Sequence, residues 1–184
     1  MDGILIIDKP LDWTSHDVVG KLRKLLKIKR IGHTGTLDPF ATGVLVMLVG
    51  QATRLAQFLD KDEKEYQATI RFGFETDTGD RTGQRVEPAE VPEADLEKTL
   101  RAVDWQEVFR GFLGEIEQTP PMYSAKKING KKLYELARAG VEIERKPVKI
   151  KIHELEFDGF SETDAAEVSI RVVCSAGTYI RTLA

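Results

Sequence analysis

The sequence predicts an α+β fold built on a mixed, mostly antiparallel sheet. Two observations carry this. Short β-rich runs are interspersed with stretches of helical period, and no strand–helix–strand unit repeats at a fixed spacing. The chain has 184 residues, enough for one full domain, and shows no internal repeat, low-complexity tract or linker. Residues 1–184 therefore read as a single domain. No apolar run approaches the roughly 20 residues of a membrane span.

The elements follow in order. Gly3 to Asp8 is a β-rich run that ends at Lys9-Pro10. Ser15 is a candidate cap for a helix running to about Ile28, with Val18, Val19, Leu22, Leu25 and Leu26 as its apolar stripe. Val44 to Val49 is a continuous apolar run, expected as a central strand. Gln51 to Leu59 is expected as a short helix with Leu55, Phe58 and Leu59 inward. Tyr66 to Phe72 alternates, which places Tyr66, Ala68, Ile70 and Phe72 on one face of a strand.

Gly73 to Pro92 is polar and reads as a long loop. Ala94 to Val103 and Trp105 to Phe112 are helical in pattern, and Ile116 to Lys127 is extended around Pro120-Pro121. Asn129-Gly130 is a turn signal, and Lys131 to Ala139 a helix stopped by Gly140. Val148 to Phe157 and Glu167 to Cys174 are strands, and Gly177 to Arg181 leads into a last helix.

The net charge of −3 argues weakly against a nucleic-acid partner, but its distribution argues the other way. Residues 1–59 carry 8 Lys/Arg against 5 Asp/Glu, residues 60–117 carry 8 against 16, and residues 118–184 carry 11 against 9. Basic residues cluster at 21–30, 126–132 and 145–151. Segregated basic surface is the footprint of an RNA binder, although each cluster also reads as an ordinary solvated face. The single cysteine, Cys174, excludes an internal disulfide and fits a reducing compartment. The N-terminus lacks the basic stretch of a signal peptide, so a cytoplasmic location is expected.

Residues 32–44, Gly-His-Thr-Gly-Thr-Leu-Asp-Pro-Phe-Ala-Thr-Gly-Val, place one carboxylate, Asp38, in a loop rich in glycine and threonine. Such loops hold ligands or do chemistry, because glycine admits close approach and positive φ. By itself Asp38-Pro39 is also a common turn. The loop matches neither a dinucleotide fingerprint nor a P-loop. His16, His33 and His153 are isolated, so no metal-ligand spacing appears, and no cofactor motif or nucleophile elbow is present. Tyr66 reads equally as a core aromatic and Arg181 as a surface or capping residue. The residues alone leave Asp38, Tyr66 and Arg181 unconnected.

The loop nevertheless resembles the signature of the bacterial tRNA pseudouridine-55 synthases, the TruB family. Asp8-Lys9-Pro10 with Thr14-Ser15-His16-Asp17 resembles that family's N-terminal motif, and Lys64-Glu65-Tyr66 its second. Thr119 to Lys127 resembles an RNA-facing segment, and Gly177-Thr178-Tyr179-Ile180-Arg181 the closing motif. These blocks run in order through nearly the whole chain.

The resemblance implies a pseudouridine-synthase catalytic fold that isomerises uridine 55 in the T-arm of tRNA. It implies Asp38 as nucleophile, Tyr66 as the residue stacking on the uracil and assisting proton removal, and Arg181 as the partner of the aspartate. His33 and Tyr179 would line the site of the flipped nucleotide, and Lys9 and Lys126 would contact substrate. No metal or cofactor and no obligatory protein partner is implied; tRNA is the partner. The family continues beyond the position of Ala184 with more of the sheet and a PUA-like RNA-binding domain. This chain is thus expected to be incomplete on its C-terminal side, and its activity alone is a matter for assay. Two other readings remain: a non-catalytic tRNA-binding or folding module, and a guide-RNA-dependent relative.

Overall fold

A computed structural model describes every residue except Asp60, Asp62, residues 87–92 and Asn129. The chain divides into two compact units, Met1–Asp62 and Glu63–Ala184.

In the first unit, β1 (Gly3–Lys9), α1 (Ser15–Leu26), β2 (Ile31–His33) and β3 (Gly43–Val49) form one layer of helix on one of sheet. The sheet order is β1-β3-β2, all antiparallel, with Ile4 opposite Leu48 and His33 opposite Met47. The apolar run at 44–49 is thus the central strand. Val18, Val19 and Leu22 of α1 pack with Ile31, Leu45, Met47 and Val49 as the core, and Leu5, Ile7 and Leu37 close it. Removal of these side chains from water is the main stabilising term.

Several sequence expectations are corrected here. The cap of α1 is Thr14, not Ser15. The Thr14 Oγ1 accepts from the Asp17 N–H at 3.0 Å, and the Asp17 carboxylate accepts from the Thr14 N–H at 2.9 Å, a reciprocal capping box. Leu25 is 69% exposed and does not belong to the buried stripe. The helix expected over Gln51 to Leu59 is a 3-10 turn, Gly50–Leu55, followed by one α turn, α2 (Ala56–Leu59). Leu55 and Phe58 face solvent, at 42% and 67% exposure, so neither is inward.

The second unit centres on a four-stranded antiparallel sheet. It contains β4 (Lys64–Arg71), a small hairpin of β5 (Glu75–Thr76) and β6 (Arg85–Val86), α3 (Glu93–Ala102), α4 (Trp105–Arg110) and β7 (Gly114–Gln118). It continues with the hairpin β8 (Lys127–Ile128) and β9 (Lys131–Lys132), α5 (Leu133–Arg138), β10 (Val148–Phe160), β11 (Glu167–Cys174) and α6 (Ile180–Leu183). The sheet order is β4-β11-β10-β7. Tyr66, Ala68 and Ile70 alternate to the packed face as the sequence implies.

The loop expected over Gly73 to Pro92 carries the β5/β6 hairpin, and its residues 87–92 lie outside the described residues. The extended stretch at 116–127 is a strand only as far as Gln118. Lys131 and Lys132 pair as a strand with β8, so the helix that follows begins at Leu133 rather than Lys131. Of the turn pair at 129–130, Asn129 lies outside the described residues; Gly130 has φ +80°, as a turn glycine requires.

Trp105 stacks on Phe157 with ring centroids 5.6 Å apart and an angle of 5° between the rings, and Phe72, Phe109 and Phe160 surround the pair. The opposite face of the sheet is charged. Arg171 there bonds Glu65, Glu154 and Glu156 from two neighbouring strands, which raises its pKa. Among the described residues no helix is long and apolar enough to cross a membrane.

Candidate active site

The Asp38 loop, residues 34–42, joins β2 to β3 and is tied down along its length. The Thr34 N–H donates to the Val46 carbonyl at 3.1 Å, and the Ala41 N–H to the Asp38 carbonyl at 3.1 Å. The Gly43 N–H donates to the Asp8 carboxylate at 3.1 Å. Of the three glycines in 32–44, only Gly43 has positive φ, at +106°. Leu37 sinks into the core beside Asp38, and its N–H donates to the Ser15 Oγ at 3.0 Å. Ser15 is 3% exposed. Its hydroxyl serves the loop, which is why the adjacent Thr14 takes the cap. Asp38 itself is half-buried and engaged in interactions of its own.

Lys9 occupies the inner face of β1 and is fully buried. Its ammonium donates to the carbonyls of Pro10 at 3.0 Å, Trp13 at 2.6 Å and Pro39 at 3.2 Å. An ammonium has three donors, and this geometry gives each one a carbonyl. Burial pushes its pKa below the usual lysine value, while the carboxylates of Asp12, Asp38 and Asp17 pull it back up. His33 lies in β2, and its Nδ1 is buried without a hydrogen-bond partner. Burial pushes its pKa below the ordinary value of 6.5; the Gly35 backbone opposes this and His16 adds to it.

The other candidates lie in the second unit. Tyr66 shares an apolar cluster with Ile180 and Leu183, the neighbours of Arg181 on α6. The start of α6 is fixed by Gln118, which is 5% exposed at the end of β7. Its side-chain amide donates to the Tyr179 carbonyl at 2.9 Å, and its Oε1 accepts from the Tyr179 N–H at 2.8 Å.

Arg181 has a side chain only 10% exposed. Its Nη1 donates to the Thr78 carbonyl at 2.9 Å and its Nη2 to the Tyr123 carbonyl at 2.7 Å. The Asp80 carboxylate, 8% exposed, lies 3.5 Å from Nη1. Asp80 is held in turn by Thr78 Oγ1 and the Thr82 N–H, each at 2.9 Å. Gly79 beside α6 adopts φ +66°, the left-handed region that favours glycine. A cavity of about 300 Å³ opens beside Arg181, walled by Thr78, Pro121, Met122, Glu142 and Arg145.

Lys126 is half-buried, with its carbonyl accepting from the Leu133 N–H at 2.9 Å. It leads into the basic β8/β9 hairpin, where the Lys132 ammonium bonds the Tyr134 hydroxyl at 2.9 Å. The structure therefore groups Lys9, His33 and Asp38 in the first unit, and Tyr66, Tyr179 and Arg181 in the second. Asp80, Gln118 and the loop-holding role of Ser15 escape sequence reasoning. Among the described residues no three His, Cys, Asp or Glu side chains are placed to hold a metal ion.

The family described as TruB family pseudouridylate synthase, N-terminal domain, matches residues 23–180, and the chain belongs to it. Among curated proteins it is 48% identical over 187 residues to tRNA pseudouridine synthase B of Geobacillus thermodenitrificans, covering 100% of this chain and 60% of that protein. It is 49% identical to the protein of the same name from Bacillus cytotoxicus, covering 100% and 59%. The chain thus spans about 60% of the length of the curated relatives it matches.

Among solved structures it is similar to a chain of a Cbf5-Nop10-Gar1 complex, at 30% identity and TM-score 0.65, covering 98% of this chain and 42% of that one. It is also similar to a chain of an H/ACA RNP bound to a substrate RNA containing 2'-deoxyuridine. There the identity is 28% and the TM-score 0.62, with coverage of 98% and 40%. The α+β pseudouridine-synthase fold expected from the sequence is the fold observed.

Proposed function

We propose that this chain is the catalytic portion of a tRNA pseudouridine synthase that converts uridine 55 in the T-arm of tRNA to pseudouridine. The observation that carries this is the Asp38 loop, clamped by Lys9 and Ser15, in a chain of the pseudouridylate synthase family. The relatives at 48–49% identity are named tRNA pseudouridine synthase B, which favours a tRNA substrate over that of the H/ACA RNP, whose chain is 28% identical.

In the reaction the bond from N1 to C1′ breaks, the uracil turns, and C5 bonds to C1′. The C5 proton leaves and N1 gains one. Asp38 is the nucleophile and acts as a carboxylate. The uridine must leave the stack to reach it, and Tyr66 supplies the stacking surface and assists removal of the C5 proton. His33 and Tyr179 line the nucleotide. Arg181, whose Nη1 lies 3.5 Å from the Asp80 carboxylate, provides the guanidinium of the site. Lysine would substitute poorly because it lacks the planar fork. The basic hairpin around Lys126 holds tRNA by its phosphates. Residues 1–184 act as one catalytic domain in the cytoplasm, with tRNA as the partner and no resident cofactor or obligatory protein partner.

The test is release of tritium from C5-labelled uridine in a T-arm transcript. It is run on this chain and on a version joined to the C-terminal remainder of the Geobacillus relative. Asp38→Asn should keep tRNA binding and lose the release. Normal turnover by that variant would sink the nucleophile assignment.

A further inference from the structure

Trp13 is 37% exposed and Leu11 46% exposed, both in the turn between β1 and α1. A tryptophan left half in solvent beside a site loop is an unusual use of the largest apolar side chain. The backbone of the turn that carries it is held in place. On one side Lys9 grips the Trp13 carbonyl at 2.6 Å. On the other, Thr14 begins the capping box of α1. Between them Asp12 adopts φ +63° and donates its N–H to the Pro39 carbonyl at 2.9 Å. Pro39 follows Asp38, and Lys9 holds the same carbonyl at 3.2 Å. The Trp13 backbone and the Asp38 loop are therefore one rigid piece.

The charge around this piece selects what the ring meets. Asp12, Asp17 and Asp38 all lie near enough to act on Lys9. Lys9 is itself buried, with its ammonium engaged by carbonyls. A phosphate would meet these carboxylates, with the Lys9 ammonium buried behind them. A flat, uncharged surface fits both the ring and the field.

From this geometry we infer that Trp13 is a stacking platform for an unpaired nucleobase of the RNA substrate, one flanking the uridine that Asp38 attacks. This rests on the function proposed above and assigns a substrate contact to a residue outside the nucleotide-flipping site. Every base offers a π face, so the contact tightens binding without reading sequence. It also anchors the strand beside a nucleotide that has left the stack.

The chain has two tryptophans, which makes the contact observable. The other, Trp105, is stacked on Phe157 in the second unit. Titration of Trp105→Phe with a T-arm RNA hairpin should quench Trp13 emission, with the midpoint given by filter binding. Trp13→Ala should weaken binding about 5- to 150-fold. Trp13→Phe should recover part of this, and Trp13→Leu should not. If Trp105→Phe perturbs folding, the difference in quench between the unaltered chain and Trp13→Ala gives the same answer. Binding that saturates with Trp13 emission unchanged, or a Trp13→Ala chain that binds normally, overturns the stacking role alone. A chain that fails to bind the hairpin at all overturns the tRNA reading and this contact with it.

Discussion

Arg181 and Asp80 form a nearly buried pair, 3.5 Å apart, across 101 residues of sequence. The guanidinium also closes on the carbonyls of Thr78 and Tyr123, so one side chain ties α6 to two separate loops. Removing one partner of a buried pair costs the other a charged contact. Asp80→Asn is expected to destabilise the second unit by about 1.5–3 kcal/mol. A double-mutant cycle in urea with Arg181→Met should return a favourable coupling; additive single effects would show that the two groups act independently.

Ser15→Ala removes the acceptor for the partly buried Leu37 N–H. An unsatisfied buried donor costs about 1–3 kcal/mol. The urea midpoint should fall accordingly, and turnover should fall more than tRNA affinity, because the loosened segment carries Asp38. Thr14→Ala, by contrast, should cost about 1 kcal/mol through the lost cap alone.

Charge reversal at Lys126 and Lys127 should weaken tRNA binding and flatten its dependence on salt. Two lost phosphate contacts correspond to a fall in slope of about 1.4–1.8 on a log–log plot. A slope unchanged in filter binding would place the phosphates elsewhere.

Acid should weaken the first unit in two windows. The half-buried His33 has a folded pKa below 6.5, so between that lowered value and 6.5 the unfolded chain binds more protons. Stability should therefore fall as pH drops below 6.5, and His33→Gln should remove that slope. Asp17 is lowered from 3.8, first by the Thr14 hydroxyl, and contributes stability that is lost only below about that value. Thermal melts from pH 3 to 8 would separate the two.

The sequence made the strands legible where period 2 or a continuous apolar run coincided with burial, as at Val44 to Val49 and Tyr66 to Phe72. Its motifs singled out Asp38, Tyr66 and Arg181, whose roles belong to the proposed function and its assay. It did not reveal Asp80 or Gln118, because each finds its partner more than 60 residues away and no local pattern marks the pairing. The cap expected at Ser15 falls instead at Thr14 for a different reason: adjacent hydroxyls look alike in sequence, and the loop at Leu37 takes the second. The inward placement of Leu55 and Phe58 failed because periodicity names an apolar face without saying that anything covers it.

Lys9 joins Pro39 across 30 residues in a chain with a single cysteine. A disulfide over such a span would stabilise mainly by restricting the unfolded chain. The ammonium instead acts on the folded side, through hydrogen bonds that re-form on every folding event and need no oxidant. The crosslink is indifferent to thiols and peroxides, so the loop that carries Asp38 keeps its anchor whatever the redox state around it.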